Sequence, residues 1–106
     1  MSGAFFRVDK FVVPVAAREE FLINVMMTHK LLEAQDGFID HKVLEQVAGP
    51  GEFNFVTIAQ WESADVVERV RAAVAAAHKA AKFDPQEMFA RLGIRADMAS
   101  YKPVAA

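Results

Sequence analysis

The sequence lacks cysteine, has one tryptophan and one tyrosine, and shows no excess of charge of either sign. The lack of cysteine excludes disulfide scaffolds, cysteine-based zinc sites and thiol catalysis. With 12 basic and 14 acidic residues, the chain offers no basic patch for nucleic acid or an anionic membrane. Its longest apolar run, Phe11–Ala17, is interrupted by Pro14 and is far shorter than the ~20 residues that span a bilayer. We therefore expect no nucleic-acid partner and no membrane insertion.

Length and hydrophobicity predict one small folded domain with an interface. The chain has 106 residues, of which 54% are hydrophobic and 25% charged, as expected for a single domain covering residues 1–106. The hydrophobic fraction is high for so short a chain, because a small domain has much surface to cover with polar groups. Part of the apolar surface is therefore expected to contact another chain. Residues 1–4 lack the basic, apolar and small-residue pattern of an export signal, so we expect a cytoplasmic protein.

Four segments rich in β-branched and aromatic residues predict strands. The first ends at Pro14, and the second and third are separated by residues 48–51, a glycine and proline cluster typical of a hairpin. Along the third strand, alternation places Phe55, Thr57 and Trp61 on one face. The predicted strands span residues 5–13, 38–47, 52–61 and 95–104.

Three segments have the three- and four-residue apolar spacing of helices. The first carries acidic residues in its first turn and is followed by Gly37, and Ser63 is a favourable N-cap for the second. A third, short helix is predicted between Asp84, a preferred capping residue, and Gly93. The two long helices are predicted at residues 16–35 and 66–81.

The resulting order is β-α-β-β-α-(α)-β, which predicts a ferredoxin-like α+β domain. Its four-stranded antiparallel sheet would carry the helices on one face. The other face would lie open, and it carries bulky residues whichever alternation is chosen. The simplest cover is a second copy of the chain related by twofold symmetry, so we expect a homodimer formed through the open sheet face.

Several short motifs resemble those of antibiotic-biosynthesis-monooxygenase-like domains. They are a first strand FRVDKFVVP, the turn QDGF after the first helix, a strand containing LEQ, the strand-to-helix step FVTIAQWES, and AAH near the end of the second long helix. These motifs occupy residues 6–14, 35–38, 44–46, 55–63 and 76–78. The resemblance covers most of the chain and implies a dimeric α+β barrel.

The resemblance also implies a choice of functions. Members of the family include oxygenases of polyphenols and quinols that use no cofactor, haem-degrading enzymes, and many proteins without an established activity. For an oxygenase without metal or flavin, the protein needs a base, an apolar pocket and a donor for the substrate oxyanion, because a phenol must lose a proton before it can reduce O₂. The expected ligand is a small aromatic or quinol molecule.

Two histidines are the candidate catalytic bases, His29 on the first helix and His78 on the second. Both fall on apolar helix faces, where a histidine that simply packs and bonds a backbone carbonyl is the plainer interpretation. An aromatic wall and polar contacts would complete the pocket, and the candidate substrate-binding residues are Trp61, Phe55, Phe11, Asn24 and Thr57. Asn54 is a further candidate polar contact.

Haem degradation is the weaker enzymatic alternative. His78 lies close to where haem-degrading relatives carry their axial histidine. Those relatives also use an asparagine on the first strand and a second tryptophan within the second helix, and the matching positions here are Asp9 and approximately Val70. An aspartate would place a charge beside the iron, and valine is too small to distort the porphyrin.

A non-catalytic ligand-binding or interaction module on the same barrel is the competing class of function. In that case Trp61 is a large core residue. Arg7 and Asp9 share one strand face, where either an ion pair inside the dimer or a catalytic couple fits the sequence. His41 is predicted to be a surface residue. The three histidines lie on three different elements with no ligand spacing, so we expect no metal site and no cofactor.

Overall fold

The computed structural model describes residues 4–105 and confirms the predicted α+β order. Residues 1–3 and 106 lie outside the described part, and the N-terminal pattern from which we expect no export falls mainly on them. The strands are β1 (Phe5–Val12), β2 (Phe38–Glu45), β3 (Phe55–Trp61) and β4 (Arg95–Tyr101). The helices are α1 (Arg18–Glu33), α2 (Ala64–Ala80) and α3 (Pro85–Leu92), and a 3₁₀ turn at Val15–Ala17 precedes α1.

The four strands form one antiparallel sheet in the order β2-β3-β1-β4. The edge strand β2 is reached from β1 by the α1 crossover, and β3 then returns between them, which is the split β-α-β arrangement. The predicted ferredoxin-like α+β fold is therefore confirmed.

Local interactions explain where the elements begin and end. The side chain of Ser63 accepts a hydrogen bond from Val66 N–H, and Asp84 accepts from Gln86 and Glu87 N–H, so both predicted caps begin helices. Gly93 ends α3 in the left-handed conformation at φ +72°.

The third strand starts later than predicted, at Phe55 instead of residue 52. Asn54 precedes the strand but keeps backbone hydrogen bonds to the chain on either side of it. Its side chain also bridges the backbone of Val13, accepting from the N–H and donating to the carbonyl at 2.8 Å each. Gln46 spans the connecting loop by donating to the carbonyls of Gly49 and Gly51. Side-chain bonds to the backbone thus hold this loop in addition to the backbone pairing.

The helix-facing side of the sheet carries two separate clusters of apolar side chains. One joins the ends of β1 and β3 to α1 and contains Phe11, Phe21 and Phe55. The other joins the opposite end of β3 to α2 and contains Trp61, Val67 and Val70. Phe21, Phe55 and Trp61 are the largest fully buried side chains in the described residues.

Small and polar residues separate the two clusters. The inward-facing residues of β3 are, in order, Phe55, Thr57, Ala59 and Trp61. Large rings therefore stand at both ends of the strand, and only short side chains lie between them. Because neither alanine nor threonine can reach the helices, a gap remains between the layers. This gap is the site described below.

The opposite face of the sheet has no helix over it, and its apolar side chains lie among charged ones from β1, β2 and β4. Register places Val8 of β1, Ile58 of β3 and Leu44 of β2 on this face, with Tyr101 at the β4 edge. Leu44 and Tyr101 are each 45% exposed. None of the helices within residues 4–105 has the length and apolar character needed to cross a membrane.

Candidate functional site

The gap between the helices and the sheet is a cavity of about 460 Å³. A second cavity of about 280 Å³ adjoins it and shares the walls formed by Asp9, Thr57, His29 and His78. Ligand pockets commonly measure roughly 300–1,000 Å³. The larger cavity alone therefore offers the space that a small aromatic molecule needs.

The strand β1 contributes charge to an otherwise largely apolar wall. Its inward residues are Phe5, Arg7, Asp9 and Phe11, so the two charged side chains lie in the middle of the strand, over the gap. Arg7 donates to Asp9 at 3.3 Å, and both side chains are about a quarter exposed. Burial raises the pKa of Asp9 above its ordinary value, and the nearby Arg7 partly opposes that effect.

The structure shows on which side of the sheet this pair lies. Arg7 and Asp9 lie on the helix-facing side of the sheet and line the cavity. They pair with each other on this side of the sheet and not on its open face. Alternation along β1 predicts that the two residues share a face, but only the packing of the helices decides which face it is.

His29 stands where α1 crosses the gap, and it is only 6% exposed. Its Nδ1 lies 2.8 Å from Nδ1 of His41. Burial and the neighbouring His41 lower the pKa of His29 to about 4, and Glu33 partly opposes the shift. At neutral pH, His29 is therefore an uncharged imidazole in the wall of both cavities.

His78 stands opposite, on α2, and lines both cavities as well. The spacing of Val67, Val70, Val74 and His78 places all four on the face of α2 that meets the sheet and the cavity. The ring of His78 packs edge-on against Phe83 with centroids 5.1 Å apart. The two candidate bases thus face one space from two helices.

The candidate substrate-binding residues separate into two groups. Trp61 and Thr57 line the larger cavity, and Thr57, Phe11 and Asn24 line the smaller one. Phe55 lines neither: it is 2% exposed and packs against Phe21 with ring centroids 5.1 Å apart.

Of the two candidate asparagines, one lines a cavity and the other does not. Asn24 donates a hydrogen bond to the Glu20 carbonyl within its own helix and keeps its place in the wall of the smaller cavity. Asn54 is committed to the backbone of Val13 and lines neither cavity. Its role is to hold the end of β1 against the start of β3.

His41 is the residue that the sequence-based prediction misplaced. It was expected on the surface, but its side chain is only about a quarter exposed and lies between His29 and Glu33. An irregularity in the β2–β3 register adds one residue between Phe38 and Asp40. As a result, Phe38 and His41 share the inward face despite their odd spacing, and their rings lie 5.7 Å apart. Simple alternation from Phe38 puts His41 outside, so the sequence carries no clear signal for this placement.

Within residues 4–105, no group of three or more histidine, aspartate or glutamate side chains is arranged to hold a metal ion.

Solved structures with the same fold were found by comparison. SnoaB from Streptomyces nogalater, a cofactor-independent oxygenase, is 19% identical with a TM-score of 0.67, over 98% of this chain and 96% of that one. The haem degrader MhuD from Mycobacterium tuberculosis, with two haems bound in its active site, is 19% identical with a TM-score of 0.71, over 96% and 97% of the two chains. A proposed antibiotic biosynthesis monooxygenase from Bacillus cereus is 19% identical with a TM-score of 0.62, over 98% and 96%.

A scan against models of protein families found no match, and a search of curated proteins found none either. At 19% identity the structural likenesses concern the fold, and each covers nearly the whole of both chains. The chain therefore has the ferredoxin-like α+β fold of antibiotic-biosynthesis-monooxygenase-like proteins, as its motifs predict.

Proposed function

We propose that this protein is a cofactor-independent monooxygenase that acts on a small aromatic or quinol substrate. The observation that carries the proposal is the cavity of about 460 Å³ between helices and sheet, whose walls include His29, His78 and Trp61. A cavity between two imidazoles and a tryptophan suits a flat phenolic ring with an acidic hydroxyl.

The reaction needs a base more than it needs a cofactor. Removal of the phenol proton makes the ring able to give an electron to O₂, and the two radicals combine to form a carbon–oxygen bond. Loss of water from the resulting peroxide leaves a carbonyl at a ring carbon that carried hydrogen. A phenol and O₂ thus become a quinone and water, with one atom of O₂ in each product and all electrons supplied by the substrate.

The residues around the cavity have distinct roles in this scheme. His29, a neutral acceptor, or His78 takes the phenol proton, and Trp61 supports the ring at the end of the cavity. The Thr57 hydroxyl and the Asn24 amide are the polar contacts for substrate oxygens.

Oxygen consumption with a panel of hydroquinones and polyphenols tests the proposal. Wild-type protein treated with chelator and free of flavin should consume O₂ with at least one member of the panel. Replacement of the base, in His29→Ala or His78→Ala, should slow that reaction by about 10²- to 10⁴-fold. Phe55→Leu is the matched control, because Phe55 lies in the core outside both cavities. Equal rates in all variants, or no consumption with any compound, would contradict the enzyme assignment.

A ligand-binding module without catalysis is the second candidate, supported by the same cavity. Trp61 is the single tryptophan of the chain and lies in the cavity wall, so its fluorescence reports on occupancy. Quenching by an aromatic ligand with no consumption of O₂ would favour this class. Quenching together with turnover would favour the enzyme.

Haem is a less suitable occupant of the site. His78 is available in the wall as an iron ligand, but the Asp9 carboxylate stands on the sheet side of the same cavity. Val70 is 4% exposed within the apolar cluster and offers no large ring to distort a porphyrin. Titration with haem should therefore give no shift of the Soret band, and a saturable shift lost in His78→Ala would overturn this part of the proposal.

The homodimer through the open sheet face belongs to the same proposal. The exposed apolar side chains of that face, including Leu44 and Tyr101, support a second copy as the cover. Sedimentation velocity should show a dimer for the wild type and a monomer for Ile58→Lys, which places a charge at the centre of the face. Val15→Lys, at a position 92% exposed and away from the sheet, should stay dimeric. The cytoplasmic location remains a prediction.

A further inference from the structure

Three side chains form a hydrogen-bonded chain from the cavity to the protein surface. His29 Nδ1 lies 2.8 Å from His41 Nδ1, and His41 Nε2 lies 2.8 Å from Glu33 Oε2. His29 is 6% exposed, the His41 side chain is 25% exposed and the Glu33 side chain is 51% exposed. The chain therefore connects the wall of a cavity to a carboxylate in water.

While both imidazoles are neutral, donor and acceptor rules permit only one arrangement of protons in the chain of three side chains. An ionised carboxylate only accepts, so Nε2 of His41 carries the proton shared with Glu33. Nδ1 of neutral His41 is then an acceptor, and Nδ1 of His29 must donate to it. This leaves Nε2 of His29 as a lone-pair acceptor.

The free nitrogen of His29 faces the cavity. Nε2 of His29 has no hydrogen-bond partner among residues 4–105, and no buried side-chain nitrogen or oxygen in that range is left unsatisfied. Nε2 is therefore not sealed in the core, and the space that His29 borders is the pair of cavities. While both imidazoles are neutral, a ligand in the cavity therefore meets a base at Nε2 of His29.

One added proton reverses the bond between the two histidines and leaves the direction of the His41–Glu33 bond unchanged. If Nε2 of His29 takes a proton from the cavity, its Nδ1 proton passes to Nδ1 of His41. His41 is then an imidazolium beside the Glu33 carboxylate, while His29 is again neutral and presents an N–H to the cavity. Only protons move in this step, no electrons are transferred, and the reverse transfer restores the original arrangement.

We infer that His29, His41 and Glu33 are a proton relay in which His29 exchanges the proton with the ligand while His41 carries the charge. The inference rests on the proposed function for its chemical use, since a phenol proton taken by Nε2 would be held as an N–H that faces the oxyanion and can return it to the departing water. His41 and Glu33 are positioning residues, because they act through His29.

The relay resolves a difficulty in the proposed chemistry. Burial and the neighbouring His41 lower the pKa of His29 to about 4, so a lasting charge on its ring is strongly disfavoured. Movement of the charge to His41, which is less buried and faces a carboxylate, avoids that cost. A buried imidazole can then accept a proton without becoming a buried cation.

Other charged groups also face the cavity and belong in any pH experiment. The ion pair of Arg7 and Asp9 on β1 lies on the sheet side of the cavity, and burial raises the pKa of Asp9. The α2 helix contributes one histidine and one arginine to the lining. The full set around His29 is Arg7 and Asp9 from β1, His41 from β2, Glu33 from α1, and Arg71 and His78 from α2.

Nitrogen NMR of histidine-labelled protein tests the relay without any substrate. At pH 8.5, His29 should be neutral with its proton on Nδ1, and as the pH falls to 5.5 the proton should move to Nε2 while the ring stays neutral. In Glu33→Gln, the pH of this change should fall by about half a unit, the size expected for a partly exposed ion pair. Glu19→Gln, which removes a carboxylate from the same helix outside the relay, should match the wild type. Asp9→Asn should keep the change of tautomer.

A second variant separates the relay from simple packing. In His41→Asn, the side-chain amide can still bond to His29 Nδ1, but no proton can be stored there, so His29 should keep one tautomer between pH 5.5 and 8.5. A switch that survives His41→Asn, an imidazolium at His29 above pH 5.5, or equal curves for Glu33→Gln and Glu19→Gln would each overturn the relay. Failure of the quinol panel with an intact tautomer switch would reject the oxygenase and leave the relay standing.

Discussion

The buried histidine makes the stability of this protein depend on pH in a defined direction. His29 is 6% exposed, and burial together with His41 lowers its pKa from 6.5 to about 4 in the folded state. Between these two values the unfolded chain binds a proton at this site that the folded chain rejects. The free energy of unfolding should therefore be highest above pH 6.5 and fall as the pH drops toward 4, by about 1.4 kcal/mol per unit.

The size of the effect is measurable by chemical unfolding. Between pH 7.5 and 4.5, His29 should account for the loss of about 2.5 kcal/mol. Urea titrations of wild type and His29→Gln at several pH values isolate this amount, because glutamine keeps a polar partner for His41 and does not titrate. Protein concentration is held constant across the series, because the stability of the proposed dimer would depend on it. The wild type should lose about 2.5 kcal/mol more than the variant.

His78→Gln is the matched control for this experiment. It removes the other cavity histidine, whose ring packs against Phe83 and forms no ion pair within residues 4–105. Because His29 and its neighbour His41 are unchanged in this variant, it should retain the loss of stability that His29→Gln removes. If instead His29→Gln and wild type lose stability equally, the reasoning is refuted, because His29 would then titrate in the folded protein as it does in the unfolded chain.

Two further predictions concern the turn before β2 and the loop between β2 and β3. Gly37→Ala should destabilise the fold by about 2–4 kcal/mol, because its φ of +92° disfavours a side chain and the new Cβ would lie 2.6 Å from a methyl group of Val66. Gly49→Ala, at φ +96° with no atom within 4 Å, should cost only about 1 kcal/mol. Equal losses in urea unfolding would show that the contact with Val66 does not matter. Asn54→Ala should cost about 2 kcal/mol in the same assay, because two bonds to the backbone of Val13 are lost. A loss below about 0.5 kcal/mol would show that the loop re-forms these bonds elsewhere.

The elements and their order were predictable because their signals are local. Ser63, Asp84 and Gly93 act on the nearest turn of chain, and each does in the structure what its position in the sequence predicts. The alternation of Phe55, Thr57 and Trp61 likewise sets one common face for these residues, whatever covers that face. Helix spacing placed His29 and His78 on inward faces for the same reason.

The site was predictable only in part. Trp61 and the two histidines do border one cavity, but Phe55 fills the core at the far end of β3 and Asn54 is bound to the backbone. The alternation of side chains along a strand cannot distinguish a ring that packs against a helix from a ring that borders a cavity. That difference depends on the sizes of the side chains that the packed helices bring against the strand.

The amino-acid sequence by itself determined the secondary structure, the ferredoxin-like order and the residues that share a face, because caps, turns and periodicity act over a few residues. Only the tertiary structure decided that Arg7 and Asp9 face the helices, that small residues leave a gap between two apolar clusters, and that His41 joins His29 to Glu33. The last of these depends on one extra residue in the register of β2 against β3. Such a shift moves a side chain to the other face of the sheet without altering the local pattern that predicts the strand.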